Sequence, residues 1–178
     1  MQQFTSTFST SGIVDAPAES VVAWWFHPDR KDDLRERLGL SHVADVDVVA
    51  STDDSGARVR VATFRDRRGW DHRHRTQWQL DPDHQTLASN GRLTVPSVEQ
   101  VTFDPPKGPR MNLQCDGRMD FTALQGGSTE IAVIHNHTLT GGRWIWRRNL
   151  RRTEQRDVKG TFRKQIEQCE AALRTVSD

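Results

Sequence analysis

"MDFTALQGGSTEIAV", residues 119–133, reads as two alternating runs joined by a turn. Gly126-Gly127 between polar neighbours is hairpin chemistry. A strand sends successive side chains to opposite faces. In "RMNLQCDGRMDFTAL" (110–124), Leu113, Cys115, Met119 and Phe121 therefore share one side. Asn112, Gln114, Asp116, Arg118 and Asp120 share the other. In "TEIAVIHNHTL" (129–139), Glu130 faces water, which turns Ile131, Val133, His135, His137 and Leu139 inward.

The same alternation continues upstream. "VADVDVVAS" (43–51) and "ARVRVATFRD" (57–66) are strands around a turn at "DDSG". "GWDHRHRTQW" (69–78) divides into Asp71, Arg73, Arg75 and Gln77 on one face and Trp70, His72, His74, Thr76 and Trp78 on the other. The first face is wholly polar and belongs in water. The second therefore points inward, yet it carries rings with polar tips where a core strand carries Val, Ile and Leu. Such a wall suits a ligand pocket. "TLASNGRLTV" (86–95) and "VEQVTF" (98–103) read as two strands separated by Pro96-Ser97, and "DPPKGP" (104–109) as a loop.

The ends differ in kind. "FTSTFSTSGIV" (4–14) is a strand. "DAPAESVVAWWF" begins a short helix, with Pro17 in its first turn, and "DRKDDLRERLG" is a second one ending at Gly39. Beyond Gly141-Gly142, residues 143–176 read as one long helix. Val158, Phe162, Ile166, Cys169, Leu173 and Val176 form an apolar stripe along it. "RWIWRRNLRR" (143–152) reads as a solvated face with tryptophan packed beneath. The other reading, an anionic or membrane surface, lacks support because acidic residues follow.

The chain has 178 residues, 34% hydrophobic and 28% charged, with a net charge of +1. That is one domain with a packed core, without the basic excess that nucleic acid requires. No apolar run is long enough to cross a bilayer and "MQQFTSTFSTSG" is not a signal peptide, so the expected location is cytoplasmic. Cys115 and Cys169 lie on apolar faces and read as small buried hydrophobes; spacing alone leaves a disulfide between them open.

This order of elements resembles the START-like (SRPBCC) superfamily, its polyketide cyclase and lipid-transfer branches in particular. The resemblance rests on "SGIVDAPAESVVAWW", "MDFTALQGGSTEIAV" and the long terminal helix. It implies an α+β helix-grip fold: a curved antiparallel sheet wrapped around a long C-terminal helix, with two short helices after the first strand. The chain departs from it in having no tyrosine and an apparent extra strand in 86–124. The resemblance implies that a hydrophobic or aromatic small molecule binds between sheet and helix, lined by Trp70, His72, His74, Thr76, Trp78, Met119, Phe121, His135 and His137. The alternative is a cyclase or aromatase whose pocket histidines move protons, and an inward carboxylate beside them would favour it. A protein-interaction module with a filled core is a third possibility. No cofactor is expected, and no metal. In such a sheet the two H-x-H strands are separated by two others, about 14 Å at about 4.8 Å per strand, and the sequence identifies no third ligand.

Overall fold

A computed structural model describes residues 3–27, 46–54, 56–66, 69–79, 90–141, 159–160 and 162–175. Among the described residues seven strands make one antiparallel sheet: β1 (Gln3–Val14), β2 (Val46–Thr52), β3 (Arg58–Arg65), β4 (Asp71–Trp78), β5 (Arg92–Asp104), β6 (Met111–Ala123) and β7 (Thr129–Gly141). Their spatial order is β1-β7-β6-β5-β4-β3-β2. Strands β2 to β7 form a meander of successive neighbours, and β1 closes the far edge against β7. Helix α1 (Ala18–Trp25) follows β1. A C-terminal helix, α2, is described at 159–160 and 162–174.

The hairpin turn sets the β6–β7 register. Ala123 stands opposite Thr129, so inward residues of one strand meet inward residues of the other. A one-residue slip would set the two apolar sets on opposite faces. The buried Thr129 hydroxyl donates to the Ala16 carbonyl at 2.7 Å and ties the β1–α1 link to this hairpin.

One core lies where α1 and α2 meet the sheet. Val14, Leu93, Val95, Met119, Phe121, Ile131 and Val133 come from the strands, Val21 and Val22 from α1, and Phe162 and Cys169 from α2. Trp25 packs edge-on against Phe121, their centroids 6.2 Å apart. The expected stripe is thus present at Phe162, Ile166, Cys169 and Leu173. Gly12 lets α2 approach: a Cβ there would stand 3.2 Å from Cγ1 of Ile166. The helix expected over 143–176 is seen only from 159 onward. Its remainder, with Val158, Val176 and "RWIWRRNLRR", lies outside the described residues, as does the second short helix. Among the described residues, no helix is long and apolar enough to cross a membrane.

The structure corrects the reading of 86–103. β5 runs unbroken through Pro96 and Ser97, so no strand boundary falls there. In an antiparallel ladder a residue's N–H and C=O point to the same neighbour. The Pro96 carbonyl accepts from the Gln79 N–H at 3.0 Å, so its missing N–H faces β4, at the point where β4 has ended. Proline is tolerated at such an unpaired position.

Asp120 is a second correction. It belongs to the outer face as its parity requires, yet it is buried. Thr94 Oγ1 donates to its Oδ1 at 2.6 Å, and Arg92 and Arg118 reach its Oδ2 at 3.2 and 3.3 Å. Two arginine stems and a threonine cover this carboxylate and also neutralise it.

Candidate functional site

The register puts His72, His74, Thr76 and Trp78 on the same sheet face as Phe64, Val101, Leu113, His135 and His137. Arg73 and Arg75 lie on the opposite face. Arg73 is exposed. Arg75 donates to Gln77 Oε1 at 3.0 Å, and Gln77 donates to Asp53 Oδ2 at 2.8 Å. The arginines of this strand are therefore held on the outside.

The inner face has two unlike halves. Met119 and Phe121 lie in the half covered by α1 and α2, among core side chains. Trp78 sits at the border, with Phe26 at 6.4 Å edge-on and the Arg60 guanidinium 5.4 Å from its ring centre. The other half carries a polar row. Thr76, Glu99, Cys115, His137 and Ser6 stand side by side across β4, β5, β6, β7 and β1. The neighbouring row runs Ser97, Gly117, His135 and Phe8.

The two histidines of β4 have different surroundings. His72 stacks on Phe64 at 4.6 Å and meets the edge of Phe103 at 5.2 Å. Its Nε2 is 3.2 Å from Asp66 Oδ2. Burial among these rings disfavours the imidazolium and holds the pKa below its ordinary value, although Asp66 pulls the other way. Trp70 is half-buried at the mouth of this turn, and its backbone N–H donates to Asp66 Oδ1 at 2.9 Å. His74 faces a carboxylate: its Nδ1 is 3.6 Å from Glu99 Oε1. The opposite nitrogen, Nε2, is buried with no hydrogen-bond partner. Such an atom is costly to leave unmatched, which marks the position as a place for a polar ligand atom or water.

Glu99 is the inward carboxylate that the sequence reading lacked. Dividing the strand at Pro96 concealed it. Read through the proline, Leu93, Val95, Ser97, Glu99, Val101 and Phe103 form one period-2 set, and Glu99 falls inside an apolar series.

His135 and His137 gather a third polar side chain. Cys115 lies directly across from His137, and the donor atoms of Cys115, His135 and His137 all lie within 4.8 Å of one another. Two statements underlay the expectation of no metal. Strands β4 and β7 are indeed separated by β5 and β6, so the four histidines remain two pairs. The missing third donor, however, is present on β6. Cys115 and Cys169 are both free of disulfide.

A separate open depression of about 460 Å³ lies at the β3–β5 end of the sheet, lined by Phe64 and His72 together with Thr63, Asp71, Arg73, Thr102 and Asp104. Asp71 and Arg65 pair beside it at 2.6 Å, and each is stabilised in its charged form by the other.

No family model and no curated protein matches the chain. Solved structures do. A protein of Rhizobium leguminosarum covers 94% of this chain with 97% of its own, at 14% identity and TM-score 0.57. The di-domain ARO/CYC StfQ from the steffimycin biosynthetic pathway covers 95% at 16% identity and TM-score 0.58, and this chain spans 52% of it. Norcoclaurine synthase from Thalictrum flavum covers 93% at 11% identity and TM-score 0.50, with 93% of its own length. This chain shares the fold of these structures, a helix-grip arrangement of antiparallel sheet and C-terminal helix. At such identities the likeness is one of fold, and the chemistry has to be argued from the residues themselves.

Proposed function

We propose that the polar half of the inner face binds a small hydrophobic or aromatic molecule that carries a hydroxyl or carbonyl group. The observation that carries this reading is the buried, unpartnered Nε2 of His74, with Glu99 behind Nδ1. A ligand hydroxyl can meet that nitrogen as donor or as acceptor, according to which ring nitrogen carries the proton. Phe64 and Phe103, with ring centres 5.4 and 6.2 Å from the imidazole, and Val101 beside it supply apolar and aromatic surface, and Trp78 lies further along the same face. A ring held there would be oriented by the one polar contact. The ARO/CYC and norcoclaurine synthase structures share the fold, which supports the small-molecule reading without naming the ligand. The expected setting is cytoplasmic, with neither nucleic acid nor a bilayer as partner.

The test uses tryptophan fluorescence during titration with the aromatic probe 1-anilinonaphthalene-8-sulfonate, beside a mass-spectrometric survey of copurifying small molecules. His74→Ala and Trp78→Ala should weaken the probe's effect about tenfold, the scale of one lost buried contact of about 1.4 kcal/mol. Arg73→Ala combined with Arg75→Ala should leave it unchanged. A response abolished by the arginine pair and untouched by His74→Ala would mean that the wrong face had been assigned.

A second reading, proton transfer in a polyketide-type ring closure, is favoured by the same carboxylate. In it His74 is the general base and Glu99 orients it. A ring-closure rate that falls steeply in His74→Ala and less steeply in Glu99→Gln would support this reading.

A further inference from the structure

We propose that Cys115, His135 and His137 form a site for a thiophilic transition metal, zinc above all. The inference goes beyond ligand binding at His74: its three protein donors come from β6 and β7.

Three features carry it. The first is geometry: one sulfur and two imidazole nitrogens lie within 4.8 Å of one another on the inner side of β6 and β7. Zinc takes sulfur at about 2.3 Å and nitrogen at about 2.0–2.1 Å, so tetrahedral donors end up closer together than this by only about an ångström. Rotamer adjustment of three side chains covers that distance. The H-x-H spacing puts both imidazoles on one face, and the hairpin register puts the thiol opposite His137.

The second feature is room. Gly117 stands opposite His135, and a Cβ in its place would lie 2.6 Å from His135 Cδ2. The imidazole occupies the space that glycine leaves open, and it has that position only while residue 117 has no side chain.

The third is the donor set. One thiolate with two imidazoles is a soft combination that suits zinc or copper and not magnesium or calcium. Three protein donors leave a fourth position open, as in catalytic zinc sites. On the neighbouring strand Glu99 stands opposite Cys115, so a carboxylate or a water beside it is placed to complete the coordination. On binding, the Cys115 thiol gives up its proton to solvent and both histidines bind as neutral rings.

The experiment uses the untagged full chain, stripped with a chelator and titrated with Zn²⁺ and, separately, with Co²⁺ as a spectroscopic probe. One equivalent should bind, and the cobalt form should show thiolate-to-metal charge-transfer absorption. Cys115→Ser should abolish that absorption. His135→Gln and His137→Gln should each weaken Zn²⁺ binding at least tenfold. Cys169→Ala and the exposed-loop change His27→Gln should alter neither. Circular dichroism of the metal-free variants checks that each is folded. A second readout is thermal: Zn²⁺ should raise the melting temperature of wild type and not that of Cys115→Ser. Absence of stoichiometric binding to wild type would overturn the proposal. So would a charge-transfer band that survives Cys115→Ser, or one that Cys169→Ala removes.

Discussion

Gly117 and His135 face each other across β6 and β7 so closely that a single added carbon on the glycine would come within 2.6 Å of the imidazole. Ser97 Oγ at 3.0 Å and the Ile134 carbonyl at 3.1 Å close the other sides. Gly117→Ala should therefore cost about 1–3 kcal/mol, the usual scale for overpacking a filled position. It should also turn His135 away and weaken Zn²⁺ binding. Gly160→Ala is the contrast, because nothing lies within 4 Å of a Cβ there. In helix α2 that change should be neutral or stabilising by up to about 1 kcal/mol. Urea denaturation of the two variants measures both effects. Equal stabilities would remove the steric argument.

What could be read in advance follows from which constraints are local. The faces of β4, β6 and β7 come from alternation, so Arg73 and Arg75 outside and His72, His74, His135 and His137 inside were legible in residues 69–139. Partners across strands are another matter. Cys115 was visible as inward-facing, but its place beside His137 depends on the β6–β7 register. Glu99 was hidden by a proline whose missing N–H happens to fall where β4 has ended. Asp120 was placed on the correct face, but its burial under Arg92 and Arg118 depends on side chains reaching along and across strands. Met119 and Phe121 were read as pocket lining, and they pack in the core because α1 and α2 settle on that half of the sheet.

The contact between α2 and β1 gives a stability prediction. Phe162 is buried in the apolar stripe, 6.1 Å from Trp25. Phe162→Ala should lose roughly 3–5 kcal/mol. Gly12→Val should destabilise through Ile166 and Phe162, whose nearest atoms would be 3.2 and 3.4 Å from the first added carbon. A Phe162→Ala protein that unfolds at the wild-type urea concentration would show that α2 is not held by this stripe.

The His74–Glu99 pair can be weighed by a double-mutant cycle. His74→Ala leaves Glu99 without its inward neighbour, and Glu99→Gln keeps the shape of the side chain while removing its charge. Their separation of 3.6 Å predicts a coupling of about 0.5–3 kcal/mol in unfolding free energy at neutral pH. Additive effects would mean that the two side chains only share a face.

His72 supplies the pH dependence. Its burial between Phe64 and Phe103 disfavours the charged ring, so the folded-state pKa lies below the ordinary 6.5. Above that ordinary value the imidazole is neutral in folded and unfolded chains alike, and its contribution to stability is complete. As pH falls below it, the unfolded chain takes up a proton that the folded chain resists, so stability declines until the folded pKa is passed. Asp66 reduces the effect without reversing it, since desolvation is the larger cause. His72→Gln removes the titration while keeping a donor near Asp66. The measurement is the unfolding free energy of wild type and variant from about pH 8 to about pH 5, where an ordinary imidazole titrates. The difference between them should shrink as pH falls through this window, because wild type alone loses the His72 contribution. A difference that stays constant, or grows in acid, would show that the imidazole is charged in the fold and that Asp66, rather than the two phenylalanine rings, governs it.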